Sequence, residues 1–402
     1  MTPLRTGLAT DLGALAWLRW LLAPDLDTAL PSDGTPVERY RVLPSGRHPR
    51  VVVPVGHPAA ARAVLQSDLG NHGFARRVTG AFSRVGRLPP GVGAPLAVSA
   101  GTAPATSLAR WLSERLDRPD LHVGITVGGP RPNRKPVLKL VTSDGTVLAF
   151  AKVAWNPLTT ALVANEQRWL ERIDADRPAG ITAPEPWLAD RWKGMPVLVT
   201  RPLAEPATSS SFLVDGDLVA AIADLAPGGE HDLVDSPWWK ATADRIVALD
   251  DEVAAGRLSA ARSVLASRLA GTRWRFGAWH GDLTAWNAYP VPGGATVWDW
   301  ERASDPVPVG FDAAHAAFQA GQVGRGLDVD ISAAEAGPVV AGVVDPLGLA
   351  AGHADDLVTC YLVERCLRWY EDRAVGSTTA TPDRQHAIQH AITARTTATA
   401  RR

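Results

Sequence analysis

The segment Trp279–Glu301, WHGDLTAWNAYPVPGGATVWDWE, decides how this chain is read. Asp282 supplies a carboxylate able to accept a hydrogen bond from an alcohol. Asn287, five residues on, supplies an amide oxygen without adding charge. Asp299 follows a Gly-Gly turn and supplies a second carboxylate. Such oxygens are hard donors suited to Mg²⁺, and a loop followed by a short hairpin can bring all three together.

The order His280-x-Asp282-x₄-Asn287, followed by a strand-borne Asp299, resembles the catalytic-loop and metal-loop pattern of kinases. Gly281 after the His and Trp300 after Asp299 make it similar to the aminoglycoside phosphotransferase and choline kinase-like family. The resemblance spans roughly residues 120–375. It implies a two-lobed protein-kinase-like α+β fold, with a small β-sheet lobe and a mainly helical lobe. It also implies ATP and Mg²⁺ as cofactors, bound between the lobes, and a small hydroxylated molecule as acceptor. Asp282 would orient the acceptor hydroxyl, Asn287 and Asp299 would hold the metal, and Asp312 would brace the catalytic loop. His280 is expected to be structural, bonded to backbone. Gly281 stands where protein kinases carry the Arg that reads a phosphorylated activation loop, which argues against a regulated protein kinase.

The residues before this segment add to the pattern. Lys152 sits on an apolar strand, AFAKVA, where a lysine is costly to bury without a partner. In the family the corresponding lysine holds the α- and β-phosphates. Glu166, in ANEQRWL, is the expected partner, preferred to Glu171 because family members carry an Asn-Glu pair there. There is no GxGxxG. The turn VGGPRPNRKP instead offers Gly128 and Gly129, whose backbone N–H groups can approach phosphate. The hinge between lobes is expected near residues 200–203.

Organisation along the chain follows from its punctuation. Residues 1–105 read as a mixed α/β appendage with helices over 12–22, 58–66 and 74–85 and strands over 39–43 and 51–55. A Pro/Gly/Ala-rich stretch, 89–104, reads as a linker. Residues 106–203 read as the small lobe: a helix over 107–118, strands over 121–127, 137–142 and 147–153, a helix over 159–173, and strands over 185–190 and 196–200. The Asp144-Gly145 pair marks the tight hairpin. Residues 204–402 read as the helical lobe, with short strands only around 287–299.

Composition narrows the remaining choices. The 402 residues, 46% hydrophobic and 21% charged, are too many for one core and ordinary for a globular chain. A net charge of −1 gives no global attraction to nucleic acid or an acidic membrane. Cys360 and Cys366 are too few and wrongly spaced for a disulfide framework or a zinc site, so a cytoplasmic setting is expected. No signal peptide or membrane span is read.

Acceptor contacts are expected from Trp286, Trp300, Glu301, Arg302 and the helix over 355–372, where Tyr361, Glu364, Arg365, Arg368 and Trp369 fall at three- and four-residue spacings. The ordinary reading of that helix, preferred to an acceptor face, has Tyr361 and Trp369 in the core and the charges facing water. Residues 301–375 carry 12 acidic and 5 basic side chains, which mildly favours a cationic acceptor such as an amino sugar or aminoglycoside. A neutral sugar, a nucleoside or a choline-like amino alcohol stays open. Two rival readings share the fold: an inactive binding protein, and an enzyme that transfers AMP.

Overall fold

The computed structural model describes residues 14–23, 37–67, 92–102, 105–127, 133–204, 214–348, 352–375 and 382–397. The helix expected over 74–85 and the Gly128-Gly129 turn lie outside the described residues. The chain divides into two units, Met1–Ala164 with Glu185–Pro202, and Asn165–Pro184 with Leu203–Arg402. Among the described residues, no helix is long and apolar enough to cross a membrane.

The first unit is built on one antiparallel sheet. Its strands are β1 (Val37–Pro44), β2 (Pro49–Pro54), β3 (Ala94–Ser99), β4 (Leu121–Val127), β5 (Pro136–Thr142), β6 (Val147–Val153), β7 (Pro186–Trp192) and β8 (Met195–Thr200). Their order is β7-β8-β6-β5-β4-β2-β1-β3. Among the described residues, the helices α1 (Ala14–Leu22), α2 (Pro58–Ser67) and α3 (Leu108–Arg115) accompany the sheet. The β5–β6 turn uses Gly145 at φ +92°, where a side chain would strain the backbone and meet the Ala59 carbonyl. On β6, Ala149, Ala151 and Val153 are buried and Lys152 points to the other face, the period-2 alternation of a strand.

Two expectations about the N-terminal block change here. The Pro/Gly-rich stretch does not run as a linker, because β3 lies inside it, paired with β1 from Val37↔Ser99 to Val42↔Ala94. Nor do residues 1–105 stand apart. Val51 and Val52 of β2 pair with Thr126 and Ile125 of β4, so the sheet is continuous across the expected boundary. Side chains reinforce the join. Ser107, the N-cap of α3, donates to Glu38 of β1. The Lys139 ammonium of β5, 4% exposed, donates to the carbonyls of Ala63 and Val64 at the end of α2, where the helix dipole favours a cation. The Trp192 indole donates to the Leu21 carbonyl of α1 at 3.2 Å. Long-range strand pairing of this kind leaves no mark in local sequence.

The second unit begins within the helix α4 (Pro157–Asp176) and is mainly helical. Its helices are α5 (Gly216–Ala223), α6 (Pro237–Val247), α7 (Glu252–Arg268), α8 (Phe311–Gln319), α9 (Val329–Val344), α10 (Ala354–Val375) and α11 (Pro382–Thr397). One small sheet joins β9 (Gly229–Asp232), β10 (Arg273–Trp279) and β13 (Ser304–Pro308). Another joins the hairpin β11 (Ala288–Val291) and β12 (Gly294–Val297) to Ile181–Thr182. Strands β9, β10 and β13 were not expected. In β10 the alternation of exposed Arg273 and half-buried Arg275 with buried Trp274 and Phe276 is the signal that marks it. The core gathers Trp238, Trp274, Phe276, Trp279, Phe311, Phe318 and Tyr361.

The continuity of the first sheet makes a prediction. A chain beginning at Thr106 loses α1, α2 and strands β1–β3, exposing the edge of β4 and the apolar face that Leu18, Leu21 and Leu22 cover. We expect it to aggregate or to lose the first unit's cooperative unfolding transition, read by size-exclusion chromatography and thermal denaturation. A soluble, fully cooperative fragment would show that the N-terminal strands are dispensable to the sheet.

Candidate active site

The segment between β10 and β11 is held from below by one carboxylate. Asp312, on the first turn of α8 and 3% exposed, accepts the backbone N–H of His280 at 2.7 Å through Oδ2 and that of Gly281 at 3.0 Å through Oδ1. Burial pushes the Asp312 carboxyl up to about 7, against the pull of those two N–H groups and of Arg368. Gly281 has φ +77°, and a Cβ there would collide with the Arg302 carbonyl. The Arg368 guanidinium, on α10, donates to the carbonyls of Gly281 and Arg302 and lies 4.3 Å from the centre of the Trp279 ring. Burial lowers Arg368 to about 10, which leaves it cationic at neutral pH.

His280 is fully buried and bonded to backbone at both ring nitrogens. Nδ1 accepts from the Asp282 N–H at 3.2 Å, which leaves Nε2–H to donate to the Trp298 carbonyl at 3.0 Å. Burial holds its ring down at about 4, so it is neutral and structural. Trp300, also fully buried, packs edge-on against this imidazole, with ring centres 4.7 Å apart.

Asp282 is the accessible carboxylate of the loop, with 36% of its side chain exposed. Its Oδ2 accepts from the Asn287 amide at 3.0 Å, and the same amide nitrogen donates to the Asp282 carbonyl at 2.9 Å. Its Oδ1 lies 3.0 Å from Nε2 of His315, on α8. Burial raises the Asp282 carboxyl more than any other single influence, but the bond from His315 and the remaining interactions with the His315 and His280 rings together hold the group below its ordinary value. An ionised carboxylate has about four lone-pair sites, so each oxygen keeps acceptor capacity for an incoming hydroxyl. On the far side of His315, Nδ1 lies 3.0 Å from the hydroxyl of Tyr361, which is fully buried on α10.

A second cluster lies in the same unit. Carboxylate oxygens of Glu166, Asp299 and Glu301 come within 4.8 Å of one another, a donor set able to hold a metal ion. Glu166 is 2% exposed and Glu301 5%. Asp299 has φ +69°, an uncommon conformation for a residue with a side chain and one that concentrates at functional sites. Asn165, beside Glu166, ties α4 to this turn through its amide, which donates to the carbonyls of Glu301 at 2.9 Å and Ala303 at 2.8 Å.

The structure thus brings together Asp282 with Asn287, and Asp299 with Glu166. Glu171 is exposed and bonded to Gln167, so it has no part in the cluster. Glu301, expected to face the acceptor, joins the carboxylate cluster instead. Trp300, expected to face the acceptor, is a wall beneath the loop because no part of it reaches solvent. Trp286 is 40% exposed and stays available. On α10, Tyr361 and Arg368 serve the loop's architecture. Glu364 is buried against Arg245 at 2.7 Å and the Trp238 indole at 3.0 Å. These charges do not face water as a surface helix would have them. Lys152 belongs to the first unit, on β6, paired with Val137 and Leu198. His315 was missed, although its spacing of three from Asp312 puts both on one helix face.

No family model matches the chain, and no curated protein matches it. Among solved structures, it is similar to a thermostable mutant of aminoglycoside phosphotransferase APH(4)-Ia in its apo form. The identity is 14%, with 73% of this chain and 99% of that one covered and a TM-score of 0.47. It is also similar to choline kinase LicA from Streptococcus pneumoniae (13% identity, 72% and 98% covered, TM-score 0.47). A third is an ethanolamine kinase from Plasmodium vivax (9% identity, 71% and 84% covered, TM-score 0.43). With scores this low, the functional reading rests on this chain's own side chains.

The two buried groups shifted most clearly near the loop oppose each other in pH dependence. His280 is lowered to about 4, so the native state binds fewer protons than the unfolded chain and stability falls as pH drops below about 6.5. Asp312 is raised to about 7, so its contribution is full at low pH and is lost as pH rises toward 7. Replacing Asp312 by Asn removes the second contribution and leaves the first. We expect the Asp312→Asn variant to lose stability on acidification from pH 7 to pH 4 more steeply than wild type, read as urea midpoints. Parallel curves would show that Asp312 does not titrate in that window.

Proposed function

We propose that this chain is a small-molecule kinase on a protein-kinase-like fold, moving the γ-phosphoryl group of ATP, with Mg²⁺, to a hydroxyl of its acceptor. One observation carries the reading. An ionised, accessible carboxylate, Asp282, is anchored by Asn287 on a loop whose following hairpin ends in the carboxylate cluster of Asp299, Glu301 and Glu166. Phosphoryl transfer asks little else of a protein beyond positioning and charge.

In this reading Asp282 accepts the hydrogen bond of the acceptor hydroxyl, aims its oxygen for in-line attack and takes up its proton. Asn287 gives its amide N–H to Asp282, which directs its amide oxygen away from that carboxylate as a metal donor. Asp299 is the principal carboxylate donor, and the cluster adds Glu301, with Glu166 beside it. Three hard oxygen donors so close together fit a divalent cation, which when bound would neutralise charge on the phosphate oxygens. Lys152 and the Gly128-Gly129 turn are proposed to contact the phosphates. Trp286 is proposed to offer its exposed ring to the acceptor.

The acidic balance of residues 301–375 supports a cationic acceptor less than it first suggests. Glu364 and Glu371 pair with Arg245, Asp372 with Arg302, Asp356 with Arg268, and Asp355 with Arg395. The acceptor class is therefore a hydroxylated small molecule (sugar, amino sugar, aminoglycoside or amino alcohol), to be found by following ADP release over such a panel. Mass spectrometry of the product separates phosphoryl transfer from AMP transfer.

Asp299→Ala should abolish Mg²⁺-dependent turnover of ATP while far-UV circular dichroism stays unchanged. Wild-type turnover in that variant would end the kinase reading. Asp282→Asn should lower kcat by roughly 10²–10⁴-fold, the usual contribution of a general base. Nucleotide affinity should change little, measured by isothermal titration calorimetry. Lost nucleotide binding with normal turnover would mean that Asp282 has another role.

A further inference from the structure

We infer that His315 and Tyr361 form a positioning pair for Asp282, in which Tyr361 selects the histidine tautomer and the histidine fixes the carboxylate. The inference rests on the reading of Asp282 as the group that receives the acceptor hydroxyl. It begins from two distances, 3.0 Å from His315 Nε2 to Asp282 Oδ1 and 3.0 Å from His315 Nδ1 to the Tyr361 hydroxyl.

His315 is 2% exposed and Tyr361 fully buried, so water satisfies neither. Burial lowers the His315 pKa, and the neighbouring Arg365 and Arg368 guanidinium groups lower it further. The bond and charge of Asp282 oppose that without reversing it, which leaves a neutral ring with one N–H. The carboxylate of Asp282 can only accept, whereas a phenol can donate. One arrangement satisfies every atom: Nε2–H donates to Asp282, and the Tyr361 O–H donates to Nδ1. The opposite tautomer would set lone pairs of Nε2 and Oδ1 against each other at 3.0 Å. Tyr361 has no other hydrogen-bond partner among the described residues, and its ring is held edge-on by Phe311 and Phe318. Its hydroxyl therefore has one task, to keep the proton off Nδ1.

Asp312 and His315 stand one turn apart on α8 and act on the same loop in different ways. Asp312 holds the backbone of His280 and Gly281, and His315 holds the side chain of Asp282. A carboxylate fixed at Oδ1 by His315 and at Oδ2 by Asn287 cannot swing its oxygens between acceptor and solvent. Pre-organisation of this sort appears in kcat more than in nucleotide binding.

The test uses the full chain in two measurements. In ¹⁵N-histidine NMR at neutral pH, with His315 assigned by its loss in His315→Gln, the expected signature is an Nε2–H imidazole. Tyr361→Phe, which removes only the hydroxyl, should convert it to a mixture of tautomers. In kinetics, Tyr361→Phe should lower kcat by about tenfold, the worth of one hydrogen bond, with KM for ATP unchanged within about twofold. His315→Gln keeps an N–H of similar reach but has no tautomer to select, so adding Tyr361→Phe to it should cost nothing more. The inference is overturned by an Nδ1–H or protonated His315 in the wild type, or by an equal cost of Tyr361→Phe in both backgrounds. If no acceptor or nucleotide supports turnover, the kinase reading fails. The NMR result then still decides whether Tyr361 selects the tautomer.

Discussion

Two backbone N–H groups, those of His280 and Gly281, end on one buried carboxylate, and the candidate site depends on that interaction. Left without Asp312, each N–H would be a buried donor with no partner, at a cost of about 1–3 kcal/mol apiece. Their alignment with Oδ1 and Oδ2 also fixes the direction in which the loop leaves β10. Gly281 makes the geometry possible, because its positive φ and its closeness to the Arg302 carbonyl exclude any side chain. Arg368 closes the arrangement from above by taking the carbonyls of Gly281 and Arg302. A carboxyl group below and a guanidinium above thus grip one peptide segment. The two N–H groups and the Arg368 charge resist the neutralisation that burial favours, which leaves Asp312 in mid-titration near neutral pH.

The same logic extends along α10. Tyr361, Glu364, Arg368 and Asp372 recur at three- and four-residue intervals and so form one stripe of the helix. Tyr361 reaches His315, Glu364 reaches Arg245 on α6, Arg368 reaches the catalytic loop, and Asp372 pairs with Arg302 in two bonds of 2.8 and 2.6 Å. From sequence this stripe reads either as an acceptor face or, in the ordinary reading, as core aromatics with solvated charges. Tyr361 is indeed core, but the charges are paired rather than solvated and form the frame that the loop leans on. The error has a physical origin. A helical wheel shows which residues share a face but not whether that face meets water or a second polar element, and the buried ion pairs here look like a solvated surface in one dimension.

What the sequence made legible follows the same division between local and long-range causes. The hairpin at Asp144-Gly145 and the strands over 121–127 and 147–153 are set by short-range chemistry, and their observed limits coincide with those read. The choice of Glu166 over Glu171 comes from the resemblance, through its Asn-Glu pair, and not from local chemistry; of the two, Glu166 is the buried one. Strand β3, hidden in a Pro/Gly/Ala-rich run, forms because β1 offers it a register of six pairs, from Val37↔Ser99 to Val42↔Ala94, with a distant partner that no local pattern reveals. His315 shows the other limit. A lone histidine on an apolar helix face is ordinarily core, and only a carboxylate 33 residues earlier gives it a role.

Helix α8 is where these threads meet. All but two of its nine residues are buried, among them the polar side chains Asp312, His315 and Gln319. A short helix with so little exposed surface would be a poor choice for stability alone, since burying a polar group costs free energy unless each bond is made. Asp312 makes its bonds to the loop's backbone and His315 to the loop's carboxylate, so the cost is offset only while the loop holds its shape. Loop and helix are therefore mutually conditional. The geometry around Asp282 is stable because departing from it would strand buried donors and acceptors on α8, and the helix tolerates its polar content because the loop is there to receive it.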